Sequence, residues 1–140
     1  MSRNGYFITF EGIEGAGKST QAEMLYRQLE REGLPVKYTR EPGGTPVGEK
    51  IRAIFADPET DIEPLTEVLL LSASRSQLVQ QFIRPHLEEG NIVICDRFSD
   101  STIAYQGFGR KVHLTQIREV TDMCTWGVRP SLTILIDIDP

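Results

Sequence analysis

Short apolar runs alternate along the chain with longer segments in which apolar residues recur at helical spacing. The runs are rich in aromatic and β-branched residues, which is typical of buried strands. They lie at residues 6–10, 36–39, 92–95 and 132–136. The helical periodicity predicts helices at residues 19–32, 47–55 and about 65–82, and we expect Pro85 to interrupt the last of them. The pattern therefore predicts strands and helices in alternation.

The runs at residues 92–95 and 132–136 are almost entirely apolar, and each is followed by an aspartate, Asp96 or Asp137. Strands of this kind, separated by helices, are typical of a parallel sheet that is covered on both faces. Ligands of such sheets bind beyond the carboxyl ends of the strands. We therefore predict an α/β fold in a single domain, residues 1–140, with the functional site at that edge.

Composition narrows the class of protein further. The 140 residues are 39% hydrophobic and 25% charged, with a net charge of -5, which is typical of a globular domain. Because the basic residues are scattered, we expect no nucleic-acid or membrane partner. The first apolar run is too short for a signal peptide or a membrane span. Cys95 and Cys124 have neither metal-ligand spacing nor the density of a disulfide-rich chain, so we expect a cytoplasmic protein.

Residues 12–19 read Gly-Ile-Glu-Gly-Ala-Gly-Lys-Ser and fit the pattern G-x-x-x-x-G-K-[ST] between a predicted strand and a predicted helix. The glycines let backbone N–H groups curl around an anion at the positive end of the helix. Lys18 would contact the β- and γ-phosphates, and the Ser19 hydroxyl would ligate Mg²⁺. A glycine-rich turn without a ligand is the alternative. The predicted Mg²⁺-nucleoside triphosphate site comprises Gly12, Ile13, Glu14, Gly15, Ala16, Gly17, Lys18, Ser19 and Thr20.

A second charged segment, Asp96-Arg97-Phe98, follows the third predicted strand and should lie beside the phosphate loop in a parallel sheet. An aspartate near Mg²⁺ and an arginine facing a phosphate are what phosphoryl transfer requires. A structural salt bridge between Asp96 and Arg97 is the alternative. We predict Lys18, Asp96 and Arg97 as catalytic residues, with Ser19 and Asp96 as metal ligands.

Taken together, the motifs resemble those of bacterial thymidylate kinases over the whole chain. They are Phe10-Glu11-Gly12 leading into the phosphate loop, Thr39-Arg40-Glu41-Pro42-Gly43-Gly44-Thr45, Asp96-Arg97-Phe98 and Ser101-Thr102-Ile103-Ala104-Tyr105-Gln106-Gly107. The resemblance implies the P-loop nucleoside monophosphate kinase fold, with the strands found here in the order 2-3-1-4. It also implies ATP-dependent phosphorylation of dTMP to dTDP, with Mg²⁺, in a homodimer.

The resemblance also implies roles for individual residues. Arg52 and Arg97 would hold the dTMP 5′-phosphate, and Arg75 would hydrogen-bond a thymine carbonyl. Thr102 and Gln106 would contact the base edge, and Tyr105 would lie near the sugar. Glu14 and Glu41 would be the carboxylates near the sugar hydroxyl and the bound nucleotides. For Arg75, an exposed helix arginine without a ligand is the alternative.

The chain departs from the family in two places. Many relatives have a stacking Phe four residues before the base-reading arginine, where this chain has Leu71, so base affinity should be lower. The chain also stops at Pro140, whereas relatives continue through a lid, a further strand and a helix. We therefore expect a truncated form that lacks the lid arginine. This leaves two alternatives open: a nucleotide-binding but catalytically incompetent fragment, or a kinase for another nucleoside monophosphate.

Overall fold

A computed structural model describes residues 4–139 and shows strands and helices in alternation. The strands are β1 (Tyr6–Glu11), β2 (Val36–Arg40), β3 (Ile92–Asp96) and β4 (Leu132–Leu135). The helices are α1 (Lys18–Arg31), α2 (Pro46–Ala56), α3 (Pro64–Leu78), α4 (Arg84–Glu88), α5 (Ser99–Thr102) and α6 (Leu114–Thr125). Two π-helical segments, Val79–Ile83 and Ile103–Gly109, continue α3 and α5.

The four strands form one parallel sheet in the order β2-β3-β1-β4. This is the order that the family resemblance implied. Asp96 is paired with Phe10 on one side and with Arg40 on the other. The carboxyl ends of β1, β2 and β3 are therefore level, so the loops that follow these strands meet at one edge of the sheet.

The core lies on both faces of the sheet, as the apolar strands predicted. Alternate residues of a strand point to opposite faces. One buried cluster comprises Phe7, Leu78, Val79, Ile83, Val93, Cys95 and Phe98. The other comprises Ile8, Phe10, Ala22, Val36 and Ile94. Helix α1 packs on the second cluster through Ala22, and the continuous α3–α4 helical stretch packs on the first through Leu78 and Ile83.

The expectation that Pro85 interrupts the helix is wrong, because the chain remains helical through Glu88. Proline has no backbone N–H, and its ring collides with the carbonyl four residues earlier in an α-helix. Here the turn before it is widened, and the Arg84 N–H donates to the Val79 carbonyl five residues back. A π-helical turn of this kind rearranges the hydrogen-bond ladder where the proline enters.

Strand β4 forms one border of the sheet and pairs only with β1 among the described strands. Its side chains are largely exposed, with Leu132 at 44% and Leu135 at 68%. Among residues 4–139, no helix is both long enough and apolar enough to cross a bilayer.

Candidate functional site

Two adjoining cavities open at the carboxyl edge of the sheet. The first, of about 540 Å³, lies over the glycine-rich loop and is called the phosphate-loop cavity. The second, of about 420 Å³, is bordered by α2, α3 and the segment after β3 and is called the Arg75 cavity. Glu14, Glu41, Arg52 and Arg97 line both. A ligand in one cavity therefore reaches the same side chains as a ligand in the other.

The phosphate loop takes its shape from backbone conformations that favour glycine. Gly12 has a φ of 149°, and a Cβ added there would lie 2.6 Å from the Ile136 carbonyl oxygen. Gly17, with a φ of 90°, directly precedes α1. The predicted residues that line the phosphate-loop cavity are Glu14, Gly15, Gly17, Lys18, Ser19 and Thr20. Gly12 and Ile13 line a different cavity beside β4, and Ala16 closes the turn by donating its N–H to the Ile13 carbonyl at 3.3 Å.

Lys18, Ser19 and Asp96 all line the phosphate-loop cavity. Lys18 is buried, and its Nζ donates to the Ile13 carbonyl at 2.9 Å. The Ser19 hydroxyl donates to Asp96 Oδ2, while Asp96 Oδ1 is buried and has no hydrogen-bond partner among the described residues. A hydroxyl and a carboxylate with a free oxygen are ligands that Mg²⁺ accepts. No group of three or more His, Cys, Asp or Glu side chains within residues 4–139 could hold a metal, so phosphate and water oxygens would have to complete the shell.

Arg97 is held at several points in an unusual backbone conformation, with a φ of 71°. Its N–H donates to the Phe10 carbonyl at 2.9 Å, and its carbonyl accepts from the Cys95 thiol at 3.0 Å. Burial raises the pKa of that thiol well above its ordinary value, which keeps it protonated as a donor. The guanidinium donates from Nη1 to Ser101 at 3.2 Å and lies 5.2 Å from the centre of the Tyr105 ring.

Arg75 is buried, with 2% exposure, so the alternative of an exposed helix arginine is excluded. Its Nη2 donates to Glu41 at 2.8 Å and to Thr102 at 3.0 Å, and its Nε contacts both Glu41 oxygens. The guanidinium also lies 5.3 Å from the centre of the Phe98 ring. Burial raises the pKa of the Glu41 carboxyl, and the Arg75 guanidinium opposes that effect. Arg75 Nη1 has no partner among the described residues, so one donor of this ion pair is left over.

Gln106 has a similar spare atom. Its amide Nε2 donates to Glu67 Oε2 at 3.1 Å, and its Oε1 is buried without a partner among the described residues. Arg52 also lines the Arg75 cavity and donates from Nη1 to the Pro42 carbonyl at 3.0 Å. All the predicted dTMP-binding residues line the Arg75 cavity: Glu14, Glu41, Arg52, Leu71, Arg75, Arg97, Thr102, Tyr105 and Gln106.

The structure brings to this site further residues to which sequence reasoning gave no role, among them Phe55, Ser101 and Glu11. Phe55 and Ser101 line the Arg75 cavity, and Glu11 hydrogen-bonds to Ser101. The signal for Glu11 was a carboxylate at the end of an apolar strand, as Asp96 is the last residue of β3. Phe55 belongs to the predicted helix at residues 47–55 and carried no signal for a cavity-lining role.

Comparison with known proteins identifies relatives over nearly the whole chain. The family model described as Thymidylate kinase matches residues 10–140. A thymidylate kinase of Deinococcus radiodurans is 53% identical over 136 residues, covering 97% of this chain and 66% of its own length. One of Roseiflexus castenholzii is 53% identical, covering 94% of this chain and 58% of its own length. The chain thus spans roughly three fifths of these curated relatives.

A solved structure agrees with these sequence matches. The crystal structure of thymidylate kinase from Ehrlichia chaffeensis superposes with a TM-score of 0.90 at 41% identity. The match covers 97% of this chain and 78% of that one.

Proposed function

Because the chain belongs to the thymidylate kinase family, we propose that it acts in the ATP-dependent phosphorylation of dTMP to dTDP. The observation that carries this proposal is the pair of adjoining cavities with Arg97 in the wall of both. One cavity has the backbone of a phosphate loop, and the other has the buried arginine and amide of a base-binding site. Two phosphorylated ligands bound in them would meet at Arg97.

In this proposal ATP occupies the phosphate-loop cavity. Backbone N–H groups at the start of α1 and the positive end of its dipole hold the phosphates. Lys18 exchanges its contact with the Ile13 carbonyl for one with the β- and γ-phosphates. Ser19 and Asp96 hold Mg²⁺, which, when bound, offsets the charge of the phosphate oxygens. The free Asp96 Oδ1 and the neighbouring Ser19 hydroxyl support this assignment.

The acceptor, dTMP, occupies the Arg75 cavity. Arg97 and Arg52 bind its 5′-phosphate, since a guanidinium matches two phosphate oxygens at once. Arg75 Nη1 donates to a thymine carbonyl, and the fixed Gln106 amide presents an acceptor to the base edge. Tyr105 lies near the sugar, and Leu71 and Phe55 cover the base by dispersion. The remaining polar residues assigned to dTMP are Thr102 at the base edge, and Glu14 and Glu41 near the sugar and the bound nucleotides.

The chemical step then needs little more than alignment and charge. A phosphate oxygen of dTMP forms a bond to the γ-phosphorus of ATP as the bond to the ADP leaving oxygen breaks. Negative charge spreads over the transferring oxygens in the transition state. Lys18 from the ATP side and Arg97 from the dTMP side stabilise that charge, and the contacts of Arg97 with Phe10, Cys95 and Ser101 hold it in place before the reaction begins.

The proposal extends to assembly and location. We propose a homodimer, and the exposed apolar residues Leu65 and Leu69 on one side of α3 are a surface that such contact would cover. We propose the cytoplasm as its compartment, in keeping with two cysteines that are free and buried. Sedimentation analysis tests the first point, since a dimer should form at micromolar concentration and Leu69→Glu should weaken it.

A panel of nucleoside monophosphates tests the function directly. ADP release from ATP is measured with dTMP, dUMP, dCMP, dGMP and dAMP, with Mg²⁺ and again with a chelator. We expect dTMP to be the best acceptor and the chelator to abolish turnover. Binding of each monophosphate is measured in parallel by calorimetry, so that recognition is scored even where turnover is slow. Preference for another monophosphate, or binding of none, would overturn the proposal.

A further inference from the structure

Glu11 is a buried carboxylate with no role in the function proposed above. Both of its oxygens accept hydrogen bonds from the segment that carries Arg97: Oε1 from the Phe98 N–H at 2.8 Å and Oε2 from the Ser101 hydroxyl at 2.5 Å. Ser101 in turn accepts from Arg97 Nη1 at 3.2 Å. We propose that Glu11 is a positioning residue which, through Ser101, holds the Arg97 guanidinium at the junction of the two cavities. This inference rests on the proposed role of Arg97 in binding the dTMP 5′-phosphate.

The direction of the hydrogen bonds is the first step of the argument. An ionised carboxylate only accepts hydrogen bonds, so the Ser101 hydroxyl must use its single hydrogen toward Glu11. The lone pairs of Ser101 are then left for a donor, and Arg97 supplies it. Glu11 thus determines that Ser101 presents an acceptor to Arg97. With an amide at residue 11, the NH₂ group could donate to Ser101 and compete with the guanidinium for the same lone pairs.

Burial is the second step. Glu11 is 6% exposed, and burial raises the pKa of its carboxyl while the hydrogen bonds from Ser101 and Phe98 oppose that rise. A buried charge is costly unless it is hydrogen-bonded. Arg97 also stands in a left-handed conformation that a non-glycine residue adopts only when its surroundings hold it there. Both costly features lie in one hydrogen-bonded group at the junction of the cavities.

The geometry also separates Glu11 from the ligands themselves. Glu11 does not line the Arg75 cavity, whereas Ser101 and Arg97 do. Its influence on dTMP therefore passes through the orientation of Arg97 and should be confined to the phosphate. Thymidine, which has the same base and sugar but no phosphate, should be insensitive to it.

This difference supplies the experiment. Affinities for dTMP and for thymidine are measured on the full chain for the unsubstituted protein, Glu11→Gln and Ser101→Ala. Ser101→Ala removes the link but leaves the carboxylate in place with its hydrogen bond from the Phe98 N–H, so it remains informative if Glu11→Gln fails to fold. Asp100→Asn is the matched control, because it makes the same acid-to-amide change at an exposed neighbour of Ser101.

We expect Glu11→Gln and Ser101→Ala each to weaken dTMP binding by about tenfold, the loss of one charge-assisted hydrogen bond. Thymidine binding should stay within about twofold, and the control should change neither affinity. In an Arg97→Lys background the effect of Glu11→Gln on dTMP should largely disappear, because the two residues act as a unit.

Two outcomes would overturn the positioning role while leaving the proposed function intact: unchanged dTMP affinity in both variants, or an equal loss of dTMP and thymidine affinity. If the unsubstituted chain bound neither ligand, the proposed function would fail, and this inference would fail with it.

Discussion

The phosphate-loop cavity and the Arg75 cavity share four side chains but are built in different ways. The first takes about half of its wall from one short stretch of chain, residues 14–20, and the shape of that stretch depends on glycine conformations at Gly12, Gly15 and Gly17. The second collects side chains from the loop after β2, from α2, α3 and the helical segments after β3. The phosphate-loop cavity therefore depends mainly on local backbone conformation, and the Arg75 cavity depends on how the helices and loops pack together.

This difference separates binding from stability. The shape of the phosphate loop depends on its backbone, so removing a functional side chain such as Lys18 should reduce activity but cost little stability. The Arg75 cavity contains the buried Arg75–Glu41 pair, which is also part of what holds α3 to the loop after β2. Specificity and stability should therefore be coupled in the Arg75 cavity and nearly independent in the phosphate-loop cavity. The four substitutions below test this comparison.

The largest effect should come from Arg75→Met. It leaves the Glu41 carboxylate buried without its cation, which should lower the free energy of unfolding by about 3–5 kcal/mol. Urea denaturation followed by circular dichroism measures the change. Glu41→Gln added to Arg75→Met should recover part of the loss. Arg52→Met, a half-buried arginine of the same cavity, is the control and should cost far less; an equal cost would contradict a special role for the pair.

Lys18→Ala should produce the opposite pattern. Phosphoryl transfer should fall by about 10²–10³-fold, because a charge that faces the transition state is lost. The free energy of unfolding should change by less than about 1 kcal/mol, since only the hydrogen bond to the Ile13 carbonyl is removed. Coupled-assay turnover and urea denaturation are measured on the same preparation, with the exposed Lys50→Ala as control. A large loss of stability would contradict the view that function and stability are nearly independent in the phosphate-loop cavity.

Arg97→Lys lies on the boundary between the two cavities. An ammonium cannot reproduce the two-oxygen contact of a guanidinium, so dTMP affinity should fall by about 10- to 100-fold. Calorimetric titration with dTMP measures the loss. Arg84→Lys, at an exposed ion pair on α4, should have no effect. Unaltered dTMP affinity in Arg97→Lys would mean that the contacts of Arg97 stabilise the fold and that Arg97 does not bind the phosphate.

The smallest change expected is a gain. Leu71→Phe should tighten dTMP binding by about 0.5–1.5 kcal/mol, because an aromatic ring stacks on the base where leucine contacts it only by dispersion. Leu69→Phe, on an exposed part of the same helix, provides the comparison, and both are titrated with dTMP. Because Phe55 lines the same cavity, Phe55→Leu in the otherwise unsubstituted chain should weaken dTMP binding. Weaker binding by Leu71→Phe would show that the cavity has no room for a second ring.

The sheet order was implied by the family resemblance, while the strands, the main helices and the phosphate loop could be predicted from the sequence itself. They depend on signals between near neighbours: apolar runs for buried strands, helical spacing for α1 to α3, and glycines next to Lys18 and Ser19. The family resemblance extended this to the residues around the Arg75 cavity, and all of them line it. The local signals failed at Pro85, because the widened turn before it keeps the chain helical, and Val79 and Ile83 of that turn are buried in the core.

The tertiary structure alone decided how those residues are partnered. Glu11 and Ser101 are 90 residues apart in the chain, and Arg75 and Glu41 are 34 apart, yet each pair shares a hydrogen bond. No periodicity or motif specifies such contacts, since they depend on which strand ends lie side by side and which helix face packs over them. Burial then makes each contact consequential, because a charged group removed from water must find a partner within the protein.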